Sequence, residues 1–433
     1  MRFVTTRGGG DATFTKALFD GLAPDGGLYV PETIEPWPAD DLARLQRRTL
    51  TEIALRALRP FVRGDVDPAT LEAVVVDALN FDIPLVEVEP GIHALELFHG
   101  PTLAFKDVGA RVMARLMAAL HHDDTPLTVL AATSGDTGSA VAHAFHRVPR
   151  TRVVILYPDG RVSPTQEAQL TMFNGQRTNV RAFAVAGSFD DCHRLTRQVF
   201  GDAELRRRIP LTSANSVNVG RLLPQSIYYF HAVAQLVARG RVAGGAHGLT
   251  FSTPSGNFGN LTAGLFAKRA GLAVRRFVAA TNVNDVVPAY LATGEFTPRA
   301  SVRTLANAMD VGHPSNFERM LWLYHADVDA MRHDVAGVRF TDDDVRATIR
   351  DVHTRAGYLL DPHSAIGYLG LTRGEGTGVF LATAHPAKFG EIVEPIIGRA
   401  VEKPPALAAA MSRPRHIVRI EATYDAVKQV LGD

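Results

Sequence analysis

Lys106 stands in a setting that suits amine chemistry. It follows the apolar residues Leu103, Ala104 and Phe105, and Asp107 and an amphipathic stretch come after it. Asp107 is the expected N-cap of a helix, which would put Lys106 beside the positive end of the helix dipole. That end disfavours a protonated ammonium, and a neutral amine is what a Schiff-base lysine requires. A lysine with its head group in water is the alternative for this segment taken alone.

Two loops rich in glycine and small polar residues are candidate anion sites. Each follows an apolar run and precedes a helical pattern: Thr133-Ser134-Gly135-Asp136-Thr137-Gly138 and Ser255-Gly256-Asn257-Phe258-Gly259-Asn260. Small residues let backbone N–H groups turn towards an anion, and hydroxyl groups add donors. Turn conformation alone also favours Gly, Ser and Asn, so one such loop is a weak signal. Neither loop is a Walker motif or a Gly-x-Gly-x-x-Gly motif.

A third polar cluster contains a guanidinium: Asn215-Ser216-Val217-Asn218-Val219-Gly220-Arg221, at the start of a helical pattern. Arginine suits bidentate binding of phosphate or carboxylate. A well-capped helix with a solvated arginine is the alternative reading of the same segment.

The composition excludes several classes of protein. The chain has 433 residues, and 46 Lys+Arg against 45 Asp+Glu give a net charge of +1, which argues against a nucleic-acid binder. Six of those cations are lysines, so amines are scarce. Cys192 is the single cysteine, which excludes an intramolecular disulfide and a thiolate zinc cluster. No apolar run reaches ~18 residues, so we expect a cytoplasmic protein without a membrane span.

Alternating apolar runs and helical patterns indicate an α/β fold. Runs that are apolar on both faces, as in parallel strands covered by helices, lie at residues 126–132, 152–157, 181–186, 249–252, 276–280 and 378–382. Helical patterns cover residues 42–58, 68–79, 107–120, 138–145, 189–200 and 261–270. Ser188 with Asp191 predicts a capping box, and three aspartates after Thr341 predict the acidic first turn of another helix.

Two further segments could be mistaken for reactive sites. His121-His122-Asp123-Asp124 is expected to be a solvated loop, because it lacks the spacing of zinc ligands. Cys192 lies in a helical pattern, where a small buried hydrophobe is expected rather than a nucleophile. We therefore expect no metal.

Taken together and in order, these segments resemble the threonine synthases, pyridoxal-phosphate enzymes of fold type II. Residues 98–107 are similar to the cofactor-lysine motif of that family, and residues 133–138 and 255–259 to its two loops. Further similar blocks are residues 21–31, residues 157–164 and Thr383-Ala384-His385-Pro386-Ala387-Lys388-Phe389. The resemblance implies two open, twisted, mostly parallel sheets flanked by helices, like the tryptophan synthase β-subunit, plus an N-terminal segment.

The resemblance also implies roles for single residues toward pyridoxal phosphate and the substrate. Lys106 would carry the cofactor as a Schiff base, Thr383 would face the pyridine nitrogen, and Asp136 would lie next to the ring hydroxyl. The cofactor phosphate would be held by Gly256, Asn257, Phe258, Gly259 and Asn260. The substrate carboxylate would bind Ser134, Gly135 and Thr137, and the substrate phosphate would bind Ser216, Asn218 and Arg221, with Arg161 the alternative to Arg221. Lys388 belongs to a family block, and its default assignment is a supporting or surface role.

The implied activity is that of a carbon–oxygen lyase acting on phosphates, in the last step of threonine biosynthesis. O-phospho-L-homoserine and water would give L-threonine and phosphate by β,γ-elimination and replacement. The alternatives are a related phospho-lyase that releases a 2-oxo acid and ammonia, and a non-catalytic protein of the same fold. We expect a small-molecule substrate, no nucleic-acid or membrane partner, and a monomer or homodimer.

Three units are expected along the chain. Residues 1–92 would form the N-terminal segment, and residues 93–210 a smaller α/β domain with the lysine and the substrate carboxylate loop. Residues 211–433 would form a larger α/β domain with the cofactor phosphate loop. The cofactor would lie between the two α/β domains, at the carboxyl ends of their strands.

Overall fold

The structure, a computed structural model, describes residues 1–175, 178–242, 248–372 and 376–432. In chain order its strands are β1 (Phe3–Thr5), β2 (Asp11–Ala12), β3 (Tyr29–Pro31), β4 (Leu85–Glu89), β5 (Ile92–Glu96), β6 (Leu127–Ala132), β7 (Thr151–Pro158), β8 (Val180–Val185), β9 (Leu211–Ser213), β10 (Thr250–Pro254), β11 (Arg276–Thr281), β12 (Val335–Arg339), β13 (Gly378–Ala382) and β14 (Val418–Ile420).

The helices are numbered in the same way. They are α1 (Phe14–Asp20), α2 (Ala39–Ala43), α3 (Leu50–Val62), α4 (Pro68–Ala78), α5 (Lys106–Leu120), α6 (Asp136–Phe145), α7 (Pro164–Thr171), α8 (Phe189–Gly201), α9 (Ala203–Arg208), α10 (Val219–Leu222), α11 (Ser226–Ala238), α12 (Gly259–Arg269), α13 (Val286–Thr293), α14 (Phe317–Leu323), α15 (Val328–Asp334), α16 (Asp342–Ala356), α17 (Pro362–Leu369), α18 (Gly390–Ile397), α19 (Pro405–Met411) and α20 (Tyr424–Gly432). Short 3-10 turns lie at Leu45–Arg47, Leu223–Gln225, Asn307–Met309 and Pro386–Phe389.

Two sheets form the body of the molecule. The larger has the strand order β12-β11-β10-β13-β5-β4, and every pairing in it is parallel except that of β4 with β5. The smaller has the order β14-β8-β7-β6-β9 and is parallel throughout. Every residue of β6, β10 and β13 is buried, as expected for parallel strands covered by helices on both faces. The predicted α/β class is confirmed, and all six predicted apolar runs overlap strands of these sheets.

The N-terminal segment is a small antiparallel sheet, β2-β1-β3, followed by α1 to α4. Arg319 on α14, whose side chain is fully buried, donates to the carbonyls of Tyr29 (3.0 Å) and Ser216 (3.0 Å). Trp37 stacks on Phe230 of α11, with ring centroids 4.0 Å apart. These contacts fix the segment against both the third polar cluster and the helices of the larger sheet.

One predicted helix was wrong in extent. Residues 42–58 were expected to form one helix, but α2 ends at Ala43 and α3 begins at Leu50. The cause is a capping box, since the Thr49 hydroxyl accepts from the Glu52 amide while the Glu52 carboxylate accepts from the Thr49 amide. The capping box predicted at Ser188 is present, and α16 has the acidic first turn predicted after Thr341. Thr341 and Asp344 also form a capping box, which was not predicted.

The strands do not divide at the predicted domain limits. Strand β4 lies in the predicted N-terminal unit and nearly all of β5 in the predicted smaller domain, yet both belong to the larger sheet. Strand β14 lies in the predicted larger domain but pairs with β8 in the smaller sheet. The predicted domain limits therefore stay a prediction. Each of the two sheets takes its strands from separate parts of the sequence.

Two absences concern the residues that the structure describes. None of the helices there is both long and apolar enough to span a bilayer. The same residues contain no group of three His, Cys, Asp or Glu side chains placed to hold a metal ion.

Candidate active site

A cavity of about 760 Å³ lies where strands of both sheets end. Its lining includes Ser134, which follows β6, and Asn215, which follows β9 in the smaller sheet. It also includes Gly256, which follows β10, and Thr383, which follows β13 in the larger sheet. The carboxyl ends of parallel strands are where open α/β sheets bind ligands.

Lys106 lines this cavity as the first residue of α5. The predicted N-cap at Asp107 was wrong, since Phe105 is the N-cap and Asp107 lies within the first turn. Asp107 is buried and reaches back to Thr102, where it accepts from the backbone amide (2.9 Å) and the hydroxyl (2.7 Å). Its carboxylate thereby fixes the loop that leads into the helix.

Lys106 is held beside Thr383 by backbone pairing of two segments. The Phe105 amide donates to the Thr383 carbonyl (2.9 Å), and the His385 amide donates to the Leu103 carbonyl (3.1 Å). Leu103 has a φ of 58°, a conformation that is uncommon outside glycine. A strained backbone that its surroundings hold in place is typical of functional sites.

The pKa of the Lys106 amine lies close to neutral pH. Burial lowers the pKa of Lys106 to about 8, an effect that Asp136 opposes and that the cations Lys388 and Arg221 reinforce. The Nζ atom lies 5.4 Å from the centroid of the Phe105 ring. A lysine with a pKa near 8 is partly deprotonated at neutral pH and can act as a nucleophile or a base.

The loop after β6 presents an open helix end. Helix α6 begins after Gly135, which has a φ of 135° and supplies no side-chain cap. The Thr133 hydroxyl accepts from the amides of Gly135 (2.9 Å) and Gly138 (2.8 Å) and so fixes the turn. No described residue accepts from the backbone amides of Ser134, Asp136 and Thr137, which all line the cavity. Gly135 itself lies outside the lining, and a Cβ there would approach the Gln166 side chain to 2.4 Å.

The loop after β10 presents a second open end. Phe258, with a φ of 59°, is the N-cap of α12 and makes no side-chain cap bond. Within the described part of the chain, the backbone amides of residues 256–260 have no acceptor, and all five residues line the cavity. A Cβ on Gly256 would lie 2.6 Å from the Cα of Met309, so only glycine fits there. The Asn260 side chain is used inside the loop, where it donates to the Pro254 carbonyl (2.9 Å) and accepts from the Ser255 hydroxyl (2.8 Å).

The third cluster divides between the cavity and the interior. Arg221 lines the cavity and is 3% exposed, yet among the described residues its Nε has no acceptor and no carboxylate pairs with it. Burial lowers the pKa of Arg221 to about 10, with partial opposition from Asp107. Ser216 lines the cavity and accepts from Asn257 Nδ2 (2.7 Å) and Asn316 Nδ2 (3.0 Å), which leaves its own O–H for a ligand.

Two of the residues predicted for the substrate phosphate, Asn218 and Arg161, lie outside the cavity. Asn218 is fully buried and donates to the carbonyls of Leu18 (2.8 Å) and Ser213 (3.0 Å) while it caps α10. Arg161 is exposed and is absent from the lining. The structure therefore brings Ser216 and Arg221 to the cavity and leaves Asn218 and Arg161 apart from it.

Sequence reasoning missed the surroundings of Asp136. Lys388 is fully buried, with its Nζ 2.9 Å from Asp136 Oδ1, and Gln166 Nε2 donates to the same oxygen (3.1 Å). Burial alone would raise the pKa of Asp136, but the ammonium groups of Lys388 and Lys106 hold it well below its usual range. The signal for Lys388 was present in the His385-Pro386-Ala387-Lys388 block, whereas Gln166 carried none.

The two segments that could be mistaken for reactive sites, residues 121–124 and Cys192, have structural explanations. Residues 121–125 form a loop in which His121 Nε2 lies 3.1 Å from the Thr125 carbonyl oxygen. Cys192 is buried in α8, and burial raises the pKa of its thiol to about 12, so it is not a nucleophile at neutral pH.

Three family descriptions match successive parts of the chain. "Threonine synthase N terminus" matches residues 2–79, "Pyridoxal-phosphate dependent enzyme" matches residues 81–383, and "Threonine synthase, C-terminal" matches residues 364–431. The chain belongs to the threonine synthase family. Its cofactor is pyridoxal phosphate, as the resemblance implied.

Individual relatives extend the match over nearly the whole chain. The threonine synthase of Haemophilus influenzae is 46% identical over 398 residues, which is 91% of each chain. That of Escherichia coli is 41% identical over 423 residues, 97% of this chain and 96% of the relative. The crystal structure of the Escherichia coli enzyme superposes with a TM-score of 0.93 at 39% identity, over 100% of this chain and 99% of that one.

A second solved relative contains the cofactor. The pyridoxal-phosphate-bound threonine synthase of Brucella melitensis superposes with a TM-score of 0.91 at 36% identity, over 100% of this chain and 98% of that one. The expected fold type II architecture is thereby confirmed.

Proposed function

We propose that the protein converts O-phospho-L-homoserine and water to L-threonine and inorganic phosphate. One observation carries the proposal: the Lys106 amine, with a pKa near 8, lines a cavity that is also lined by two helix N-termini without a side-chain N-cap and by the buried Arg221. Among the described residues Arg221 has no carboxylate partner, and its Nε has no acceptor. Cofactor phosphate, substrate carboxylate and substrate phosphate are three anionic groups, and each has a donor set there. Membership of the threonine synthase family supports the same reaction.

The residues present fit pyridoxal phosphate. The free amides of residues 256–260 at the N-terminus of α12 are suited to its phosphate, and the Gly256 turn has no room for a larger residue. Lys106 is the amine that would bond its aldehyde, and we assign Thr383 to the ring nitrogen and Asp136 to the ring hydroxyl. When bound, the cofactor acts as an electron sink that makes C–H bonds of an attached amino acid acidic.

The substrate carboxylate is assigned to the loop after β6. The free amides of Ser134, Asp136 and Thr137 lie at the positive end of α6, and the hydroxyls of Ser134 and Thr137 add donors. An anion bound at this helix end would be held on the Asp136 side of the cavity. Gly135 contributes by its backbone conformation, since its φ of 135° turns the loop.

The substrate phosphate is assigned to Arg221 and Ser216. A guanidinium that is 3% exposed and has no carboxylate partner in the described chain gains most from an anionic ligand. Ser216 also touches Asn257 of the cofactor loop, so the two phosphates would bind on adjoining sides of this cluster.

Lys106 would move the protons of the reaction. The substrate loses a proton from Cα and another from Cβ, and phosphate leaves Cγ. Water adds its hydroxyl at Cβ and its remaining proton goes to the released phosphate, while two protons return to Cα and Cγ. An amine with a pKa near 8 can accept and return these protons at neutral pH, since about one tenth of it is deprotonated at pH 7 and the rest carries a proton to donate. Lys106 stays in reach throughout because the pairing of Phe105 with Thr383 fixes the start of α5.

The test of the reaction is to supply O-phospho-L-homoserine and to quantify phosphate, threonine, ammonia and 2-oxo acid together. We expect phosphate and threonine in equal amounts. Equal ammonia and 2-oxo acid without threonine would favour the phospho-lyase alternative, and no phosphate release would favour a non-catalytic protein. Lys106→Ala should abolish both threonine formation and the adduct trapped by borohydride. Lys428→Ala, which changes a half-buried lysine on α20 that pairs with Asp202, should leave both unchanged.

The assignment of Arg221 has its own test. Arg221→Gln should raise the KM for O-phospho-L-homoserine by about 10- to 100-fold, the loss expected for a charge-assisted hydrogen bond, with little change in cofactor affinity. If cofactor affinity falls instead and KM is unchanged, Arg221 binds the cofactor phosphate.

The compartment and the assembly complete the proposal. A single cysteine that is buried with a raised pKa fits a reducing compartment, and we propose the cytoplasm. We propose a monomer or homodimer. Fractionation of cells and sedimentation of the purified protein test these two points.

A further inference from the structure

The feature that the proposed reaction does not use is a second lysine under the cavity. Lys388 lies in the 3-10 turn Pro386–Phe389 after β13, and none of its side chain is exposed. Its Nζ lies 2.9 Å from Asp136 Oδ1 and donates to the Thr102 carbonyl (2.8 Å). A buried lysine is costly unless it is paired, so this arrangement points to a specific use of its charge.

We propose that Lys388 is a positioning residue whose ammonium neutralises the Asp136 carboxylate, so that this carboxylate does not hold a proton on Lys106. The inference rests on the proposed role of Lys106 as the lysine that bonds the cofactor. It deepens that role by naming a charged group that, together with burial, keeps the amine from being fully protonated.

The charges around the two lysines support these roles, with Lys388 as the cationic partner of Asp136 and Lys106 as the amine that can be neutral. Asp136 interacts with Lys388, Lys106 and His363. If the Asp136 carboxylate is ionised and one lysine is its cationic partner, the other lysine can be neutral. Lys106 faces Asp136, Lys388, Arg221 and Asp361. Because Asp136 already forms an ion pair with Lys388, its attraction for a proton on Lys106 is largely cancelled.

The geometry holds Lys388 in place from three sides. Its Nζ contacts both the Thr102 carbonyl and Asp136, and its own carbonyl accepts from the Ser163 hydroxyl (3.4 Å). The Thr102 carbonyl also accepts from Gln169 Nε2 (3.3 Å). Thr102 is bonded in turn to Asp107 on α5, so the ammonium is fixed relative to the helix that begins with Lys106.

The experiment is a pH titration of the Lys106 amine in the full-length chain from which cofactor has been removed. Trace acetylation is followed by mass spectrometry of the peptide that contains Lys106, with the exposed Lys16 as internal reference. We expect Lys388→Met to move the midpoint for Lys106 upward by at least about one pH unit, which makes the amine at least about fivefold less reactive at pH 8. Lys388→Arg, which keeps a cation, should stay within about half a unit of the parent chain.

A matched control is Lys268→Met. Lys268 also pairs with an aspartate, Asp334, at 2.8 Å, but it lies at the far end of α12 from the cofactor loop. This variant should leave the Lys106 midpoint unchanged. An unchanged midpoint in folded Lys388→Met would overturn the inference, as would an equal shift in Lys268→Met.

A second pair of variants serves if Lys388→Met does not fold. Asp136→Asn removes the carboxylate and should lower the Lys106 midpoint, because the Lys388 cation is then unopposed. Asp136→Asn with Lys388→Met restores a neutral pair and should return the midpoint to within about half a unit of the parent chain. Identical midpoints in the single and double variants would overturn the inference.

This result can be told apart from a failure of the proposed function. If Lys106→Ala still gave a borohydride-trapped adduct, the assignment of Lys106 itself would be wrong. If the Lys106 adduct forms normally and only the Lys388 variants fail to shift the titration, the inference about Lys388 fails alone.

Discussion

Helices in this protein begin in two different ways. At α3 and α16 the N-terminus is closed by its own side chains, where Thr49 pairs with Glu52 and Thr341 pairs with Asp344 in capping boxes. At α6 and α12, which open onto the cavity, the N-cap residues are Gly135 and Phe258, and neither supplies a side-chain acceptor.

The two kinds of helix N-terminus serve different purposes, one for the stability of the fold and the other for the binding of ligands. Every helix N-terminus has backbone amides without an intrahelical acceptor, and a capping box satisfies them within the chain. An open end leaves those donors, together with the positive end of the dipole, for an anion. The same local feature therefore stabilises the fold at the surface and builds the binding site at the cavity.

The largest effect is expected from a substitution that disturbs the open N-terminus of α12. Gly256→Ala would place a Cβ 2.6 Å from the Cα of Met309, so the loop before α12 must shift and its amides lose their common direction. We expect the dissociation constant for pyridoxal phosphate to rise by about tenfold or more, as measured by absorbance titration. Gly432→Ala, where no atom lies within 4 Å of the added Cβ, is the matched control and should bind the cofactor normally.

The Lys106 amine, which lines the same cavity as the two open helix ends, predicts a pH dependence of cofactor binding. Burial lowers the pKa of Lys106 to about 8, so below that pH the neutral fraction of the amine rises about tenfold per pH unit. The rate at which the cofactor-free chain captures pyridoxal phosphate should rise about tenfold from pH 6 to pH 7, continue to rise and level off above pH 8. Stopped-flow absorbance measures this rate, and a rate that falls with rising pH would contradict the sign.

The smallest expected effects come from single hydroxyls at the two kinds of helix end. Thr137→Val at α6 should raise the KM for O-phospho-L-homoserine by about tenfold, because one donor to the carboxylate is lost, with little change in unfolding free energy. Thr49→Ala at α3 should lower the free energy of unfolding by about 1 kcal/mol and leave kcat/KM unchanged. Denaturant titration and steady-state kinetics on both variants would show whether the two effects separate; a loss of stability in Thr137→Val equal to that in Thr49→Ala would contradict the comparison.

Local patterns were enough to predict much of this molecule. Apolar runs predicted six strands, three in each sheet, and residue spacing predicted the capping box at Ser188 and the acidic first turn after Thr341. Lys106 and the two loops were found because each carries its signal within a few neighbouring residues.

Contacts between distant residues could not be predicted in this way. Lys388 and Asp136 form an ion pair although they lie far apart in the sequence, and neither segment alone shows that the other is near. Asn218 looked like a ligand for phosphate, but it caps α10 and holds the carbonyl of Leu18, which lies in the N-terminal segment. The order of strands in the sheets, with β5 beside β13 in the larger sheet, likewise depends on long-range pairing.

The position of β14 has a consequence for how the chain is made. Strand β8 is complete at Val185, but its outer partner β14 is supplied by Val418–Ile420. At a synthesis rate of about 5–20 residues per second, β14 is made roughly ten to fifty seconds after β8, and the outer edge of β8 has no partner strand during that time. An unpaired edge is a template for association with other chains, so the nascent protein is exposed to misassembly until its last strand emerges from the ribosome.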